Sequence, residues 1–142
     1  MTGVAKITNV SIPSIARGGD KVTLVVVFEN VGDVNDAFWW SLDEYTSLSG
    51  ETIEYGGGAN IFNNRVEGYY TSGQIGTLQK VLVMPRKPMW QLRMYVGHYS
   101  DAAKTIQVTD DWKDITISRS DYAPLCPLCV TGLEKSWKDG IS

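Results

Sequence analysis

The segment Lys21–Asn30, KVTLVVVFEN, constrains the fold of this 142-residue chain more than any other stretch. It lies between two turn clusters, RGGD and NVGD, and successive side chains of a strand point to opposite sides. One side is wholly apolar: Val22, Leu24, Val26 and Phe28. The other side carries two more aliphatic residues, Val25 and Val27. A strand that is apolar on both sides predicts a sheet with a core beneath it and a partner above it.

Further alternating segments predict an all-β fold. AFWWSL, QIGTLQKVLVMP and MWQLRMYVGHY alternate in the same way, and no helical periodicity occurs before residue 130. About seven strands predict an antiparallel sandwich of two sheets, with a jelly roll as the alternative. Trp40 suits the centre of the core, with Leu92, Met94 and Val96 on the inward side of a later strand. A change of apolar parity after Val108 predicts a bulge near Asp110–Asp111.

Two segments stand apart from this pattern. Residues 43–70, rich in Gly, Ser and Asn, have the character of an insertion with one or two short edge strands. We therefore predict a sandwich over residues 1–119 and a C-terminal arm over 120–142. The arm has a capping-box spacing from Thr131 to Glu134, which predicts a short helix with Leu133 and Trp137 on one side. So short a helix is unstable alone, and we expect it to dock on its own sandwich or on a neighbouring copy.

The opening ITNVSIPSIARGGDKVTLVVVFENVGD resembles immunoglobulin-like domains of the bacterial and archaeal cell-adhesion-related type. The shared elements are Pro13–Ser14, the Gly19–Asp20 turn and a strand that ends in Asn30-Val31-Gly32. The later VLVMP, LRMYVGHY and DDWKDITIS are similar to small stand-alone virion or surface proteins of viruses and uncultured microbes. The resemblance implies an immunoglobulin-like sandwich that serves as a spacer, an adhesion module or a virion surface part. It implies no catalytic residues.

Composition excludes several classes of partner. The net charge is −3 and no basic run occurs, which argues against nucleic acid. No stretch approaches the roughly 20 apolar residues of a membrane span. The N-terminus lacks the basic-then-apolar pattern of a secretion signal, so we expect synthesis in the cytoplasm and a place in a virion or cell-surface assembly.

Cysteine and histidine are too few for a zinc site within one chain. Cys126 and Cys129 form a C-x-x-C motif, but no second pair accompanies them and His98 is the only histidine. A site that two chains share through these cysteines is the one metal alternative, beside paired thiols or a local disulfide. His98 is expected to be hydrogen-bonded at the rim of the sandwich. No nucleophile accompanies it, so we expect no enzyme, no resident metal and no cofactor.

Acidic residues gather in two regions, Asp33–Glu44 and Asp110–Asp114. Their spacing matches no calcium loop, and a small sandwich seldom offers the cleft that paired catalytic acids need. We expect solvated turn residues.

Aromatic residues exceed what the core needs, with five Trp and seven Tyr. Trp39 and Tyr95 fall on the outward sides of their strands, where they suit either a glycan or a protein partner. Protein is favoured, because Val25 and Val27 add aliphatic surface. The predicted interface comprises Val25, Val27, Trp39, Tyr95, Leu125, Leu128, Leu133 and Trp137.

The sequence thus predicts a non-enzymatic structural protein that self-associates or binds capsid or filament neighbours. Its most specific form is a virion surface or capsid decoration component, or a filament subunit. The alternative is a carbohydrate-binding or adhesion module.

Overall fold

The chain folds as a sandwich of two β-sheets. The computed structural model describes residues 2–44, 46–48, 52–54 and 59–121. Its strands are β1 (Ala5–Ser11), β2 (Ile15–Ala16), β3 (Lys21–Asn30), β4 (Phe38–Glu44), β5 (Thr46–Leu48), β6 (Thr52–Glu54), β7 (Asn60–Arg65), β8 (Ile75–Val83), β9 (Met89–Tyr99) and β10 (Gln107–Arg119). One sheet has the order β1-β3-β8 and the other the order β2-β10-β9-β4-β7. The two sheets hold eight strands, against about seven expected.

The apolar sides of the central strands form the core. The inward residues of β3 are buried, and so are Leu92, Met94 and Val96 of β9, as their alternation predicts. Trp40 of β4 lies among them and packs edge-on against Phe62 at 4.6 Å between ring centroids. The bulge predicted in β10 is present, because the register of its pairing with β9 shifts between Thr109 and Asp111. Strand pairing is antiparallel except where β2 joins the end of β10 in parallel.

The Asn30-Val31-Gly32 motif is a structural corner. The Asn30 side chain is fully buried, donates hydrogen bonds to the carbonyls of Val34 and Tyr70, and accepts one from the Gly32 amide. Gly32 has no room for a side chain, because a Cβ there would lie 2.8 Å from the Val4 nitrogen. The motif therefore fixes how the end of β3 meets the N-terminal segment, and its role is packing rather than binding.

Residues 43–70 and the C-terminal arm were both predicted to stand apart from the regular strands of the sandwich. The first region contains the end of β4, the short β5–β6 hairpin and β7, which is an edge strand of the five-stranded sheet. Residues 122–142 lie outside the described part of the chain, so the division into sandwich and arm stays a prediction. Within the described part, no helix has the length and hydropathy needed to span a bilayer.

Candidate binding surfaces

The sandwich presents two different outer surfaces, one for each sheet. The outer side of the three-stranded sheet carries an aliphatic face, which we define as Val25, Val27, Ile75, Val81 and Val83. Val25 and Val27 are partly covered, whereas the three residues of β8 are largely exposed. In the β3–β8 pairing Val83 lies opposite Lys21, Val81 opposite Thr23 and Ile75 opposite Glu29. The second apolar side of KVTLVVVFEN is therefore an outward surface that the neighbouring strand extends.

Trp39 and Tyr95 belong to the opposite side of the molecule. They lie on the outer side of the five-stranded sheet, so the predicted interface residues do not form one continuous patch. Leu125, Leu128, Leu133 and Trp137, together with Cys126 and Cys129, fall outside the described residues. The interface assignment of the whole set stays a prediction.

Trp39 is the floor of this second surface. It forms a small apolar cluster with Ala37, Tyr99 and the partly buried Tyr95, and only 4% of its surface is exposed. Its indole N–H donates to the His98 carbonyl at 2.8 Å. The indole can lie against the sheet because the neighbouring Gly97 has no side chain: a Cβ there would lie 2.9 Å from the Trp39 ring. Trp39 thus lies outside the central core but is not itself a free stacking platform.

Short polar side chains surround Trp39 and leave a concavity with a volume of about 330 Å³ above it. The side-chain amides of Asn63 on β7 and Gln107 on β10 exchange two hydrogen bonds, of 2.9 and 2.7 Å. The Asn60 amide donates to Ser41 Oγ at 3.1 Å and to Asp43 Oδ1 at 2.8 Å. These contacts hold the lining groups in fixed positions. We name the concavity and its rim the polar cradle; Trp39, Ser41, Asn60, Asn63, Tyr95 and Gln107 line it, with Asp43 and Thr109.

An exposed tryptophan extends this side of the sheet. Trp112 lies directly opposite Tyr95 in the β9–β10 pairing and is 45% exposed. The Arg93 guanidinium stacks 3.7 Å from the Trp112 ring centre and also pairs with Asp114 at 2.7 Å. Trp112 was not among the predicted interface residues, because the sequence does not reveal that β10 pairs with β9 and so places this ring beside Tyr95.

The tyrosine at the end of the cluster has a shifted pKa. Burial raises the pKa of the Tyr99 hydroxyl above its ordinary value, against the opposing effects of Arg65 and a hydrogen bond with Gln107. The hydroxyl is therefore neutral across the physiological range. With Arg65 over the Tyr99 ring at 5.5 Å, this end of the surface is a packed cation–aromatic contact.

His98 is tied into the rim of the sandwich, as expected. Its Nδ1 lies 2.8 Å from Asp110 Oδ1, and the other oxygen of Asp110 accepts the Ala5 amide at 3.0 Å. Asp111 accepts the Ile7 amide at 2.9 Å. The two carboxylates at the bulge of β10 thus accept hydrogen bonds from backbone N–H groups of β1 that are not used in strand pairing.

The prediction of solvated turn acids is wrong for Glu44, whose partly buried carboxylate accepts the Trp90 indole N–H at 3.0 Å, and for three more residues. Asp36 is only 3% exposed, and Asp110 and Asp111 are the partly buried acceptors just described. The reason is that each carboxylate accepts N–H groups, which short-range sequence patterns do not reveal. In the described residues no group of three or more His, Cys, Asp or Glu is placed to hold a metal ion.

Comparisons with known proteins bear on the fold. No protein-family model matches the chain, and no curated protein does. Among solved structures, the crystal structure of the CARDB domain of the PF1109 protein from Pyrococcus furiosus, in complex with di-metal ions, is similar with a TM-score of 0.58 and 11% identity. The match covers 83% of this chain and 89% of that one. The solution structure of the same domain gives a TM-score of 0.57, also at 11% identity, over 83% of this chain and 95% of that one.

One chain of a human complex is similar as well. It comes from the crystal structure of the complex between zinc 2-glycoprotein and prolactin-inducible protein from human seminal plasma, and it matches with a TM-score of 0.56 and 14% identity, over 82% of this chain and 93% of that chain. At such identities the likeness concerns the fold alone. The chain therefore has the fold of an immunoglobulin-like β-sandwich rather than a jelly roll, and it resembles CARDB domains.

Proposed function

We propose that this chain is a non-enzymatic, adhesion-type immunoglobulin-like module that associates with a second copy of itself through the aliphatic face. The observation that carries the proposal is the exposure of Ile75, Val81 and Val83 beside Val25 and Val27 on one side of one sheet. Exposed aliphatic groups that share a surface mark interaction sites, whereas single exposed ones are ordinary. The similarity to CARDB domains supports an adhesion-type module by analogy of fold.

The outward residues of β3 suit a two-fold partner. They are Lys21, Thr23, Val25, Val27 and Glu29, so a positive and a negative end flank the central Val25. Lys21 and Glu29 make no ion pair within the described residues. If two copies pack face to face with β3 antiparallel, each Lys21 lies opposite Glu29 of the other copy. A parallel arrangement would place like charges together.

Strand β8, at the edge of the three-stranded sheet, fits the same two-fold arrangement. In this arrangement the two-fold axis is perpendicular to the strands and lies at the level of Val25. The axis then also passes over Gln79, the residue of β8 that pairs with Val25. It places Ile75 of one copy opposite Val83 of the other. Aliphatic residues then meet at both ends of β8, and the charges of β3 meet beside them. The same two-fold axis therefore pairs the opposite charges of β3 and the aliphatic residues of β8.

Area limits the strength of such a pairing. Three strands spaced about 4.8 Å apart, each contributing about nine residues of 3.3 Å, cover roughly 430 Å². A standard interface needs about 800 Å² per partner. The aliphatic face by itself therefore gives a weak, concentration-dependent dimer. We propose that the C-terminal arm, residues 120–142, adds area by docking on a neighbouring copy.

The most specific form of the proposal is a virion surface or capsid decoration component, or a filament subunit. This form rests on the sequence resemblance alone. In any of these assemblies the high local concentration of copies would offset the small area of each contact.

Light scattering of the full chain tests the proposal. We expect the average mass to rise with concentration in the wild type and to stay that of a monomer in Val81→Glu. The matched control is Ile106→Glu, because Ile106 has the same exposure as Val81, 57% against 54%, but lies in the β9–β10 connection. A wild type that remains monomeric up to millimolar concentration, or equal effects of both substitutions, would overturn the proposal.

A further inference from the structure

We infer that the polar cradle on the outer side of the five-stranded sheet is a binding site for a neutral oligosaccharide. This site is on the opposite side of the sandwich from the aliphatic face, and it does not depend on self-association. Its volume of about 330 Å³ lies at the lower end of the range of ligand sites, about 300–1,000 Å³.

The lining of the cradle has the chemistry that vicinal hydroxyl groups require. Asn63 uses one amide N–H in its bond to Gln107, and its second N–H and remaining oxygen lone pair are left for a ligand. Asp43 supplies acceptors, and Thr109 supplies a hydroxyl that both donates and accepts, whereas Ser41 is only 5% exposed and holds the Asn60 amide in place. Amide, carboxylate and hydroxyl groups side by side can bond neighbouring sugar hydroxyls in pairs.

The positions of these groups are fixed before a ligand arrives. Asn63 and Gln107 come from β7 and β10, which are separated by two strands in the sheet, and their amides still meet. Asn60 is fixed by its bonds to Ser41 and Asp43. Fixed donors lower the entropy cost of binding, which matters for ligands as flexible as oligosaccharides.

Aromatic surface adjoins these polar groups. Trp39 provides an apolar floor, Tyr95 lines the cradle, and Trp112 stands next to Tyr95 with nearly half of its surface exposed. The face of a pyranose ring carries C–H groups that pack on an aromatic ring while the hydroxyls point to polar partners. A sugar in the cradle and a second sugar against the part of Trp112 that Arg93 leaves exposed would engage both parts of this surface.

Other ligand classes fit less well. Phosphate-bearing ligands would meet the Asp43 carboxylate, and neither lysine nor arginine lines the cradle. A protein partner is better served by the aliphatic face, whereas short polar side chains line the cradle. The cradle itself offers aromatic, amide and hydroxyl groups and is lined by no basic residue, and the ligand class that matches this lining is a neutral sugar.

Amide chemical-shift mapping of the full-length protein tests this inference. The probes are maltohexaose, cellohexaose, chitohexaose, mannohexaose and xylohexaose at millimolar concentration, with a sialylated lactose as the acidic comparison. We expect at least one neutral probe to shift signals of β4, β7 and β9 around Trp39, Asn63 and Tyr95. Absence of shifts with every neutral probe, shifts confined to β3 and β8, or a response to the acidic sugar alone would overturn the inference.

Three variants of the site and one control variant keep the test specific. Trp112→Ala and Asn63→Ala should each weaken binding by about tenfold, the loss expected when a stacked ring or a hydrogen-bonding amide is removed. Thr109→Val removes one hydroxyl of the cradle with almost no change of shape, so it serves if a larger substitution disturbs folding. Tyr69→Ala is the matched control, because Tyr69 is a 60% exposed aromatic residue that does not line the cradle. Equal weakening in Tyr69→Ala would also overturn the inference.

Discussion

The Asp36 carboxylate and the Lys104 ammonium form a largely buried ion pair, with 2.7 Å between Oδ1 and Nζ. The same carboxylate accepts the backbone amides of Gly3 and Ala37, each at 2.8 Å. Lys104 adopts the left-handed backbone conformation, with φ of 60°, in the connection between β9 and β10. One buried acid therefore fastens the N-terminal segment to both the start of β4 and the β9–β10 connection.

Replacement of Asp36 by Asn should be strongly destabilising. It leaves Lys104 without its counter-charge in a site where the Lys104 side chain is only 18% exposed. Loss of one partner of a buried ion pair costs about 3–5 kcal/mol. The matched control is Asp114→Asn, which affects a more exposed pair and should cost at most about 1 kcal/mol. Urea unfolding of both variants measures the difference, and equal costs would contradict this role of Asp36.

Asp36 should also make stability depend on pH. Burial raises its pKa, but the hydrogen bonds from Lys104, Gly3 and Ala37 outweigh that effect and hold the pKa below the ordinary 3.8. A lowered pKa in the folded state gives stability that is present above pH 3.8 and is lost as the pH falls through the folded value. The difference in unfolding free energy between wild type and Asp36→Asn should therefore shrink below about pH 4. A constant difference would contradict the assignment.

Gly32 should not tolerate a methyl group. A Cβ at this position would lie 2.8 Å from the Val4 nitrogen and 2.9 Å from the Gly3 Cα, both of which are backbone atoms. We expect Gly32→Ala to cost about 1–3 kcal/mol. Gly18→Ala is the control, because its new Cβ would meet only flexible arginine side chains at 3.1 Å or more. Thermal unfolding compares the two, and a tolerated Gly32→Ala would show that the corner can relax.

Asp101 offers a test of local electrostatics in the β9–β10 connection. Hydrogen bonds, first from the Thr105 hydroxyl and then from the Ile106 and Thr105 amides, lower its pKa to about 2. Thr105→Val removes the hydroxyl donor, so the pKa of Asp101 should rise from about 2 toward 3.8. Carboxyl NMR titration measures this change. An unchanged pKa would mean that the backbone amides alone set it.

Alternation of apolar and polar residues predicted the central strand of each sheet, β3 and β9. β3 and β9 have one buried side, and the period-2 pattern of their residues is a direct consequence. The bulge in β10 was predictable for the same reason, because an extra residue reverses the parity of Val108 and Ile115. The corner at Asn30 was visible as a motif, although its hydrogen bonds were not.

The outer surfaces were harder to predict. Trp39 and Val25 both fall on outward sides of their strands, and sequence parity alone does not say which sheet each strand joins. Trp39 is covered because Tyr95 and Tyr99 of β9 pack against it. These residues lie about 60 positions from Trp39 along the chain. The amide contact between Asn63 and Gln107 spans 44 residues. Such contacts depend on strand order, which has no local signal in the sequence.

Charge exchange across the aliphatic face tests the central claim most directly. In the two-fold arrangement Lys21 of each copy faces Glu29 of the other, so Lys21→Glu or Glu29→Lys alone creates two pairs of like charges. Sedimentation velocity should show each single variant dimerising about tenfold more weakly than wild type, and the double variant Lys21→Glu/Glu29→Lys returning to near wild-type affinity. A double variant at least as weak as the single variants, or single variants that dimerise like wild type, would contradict the proposed pairing.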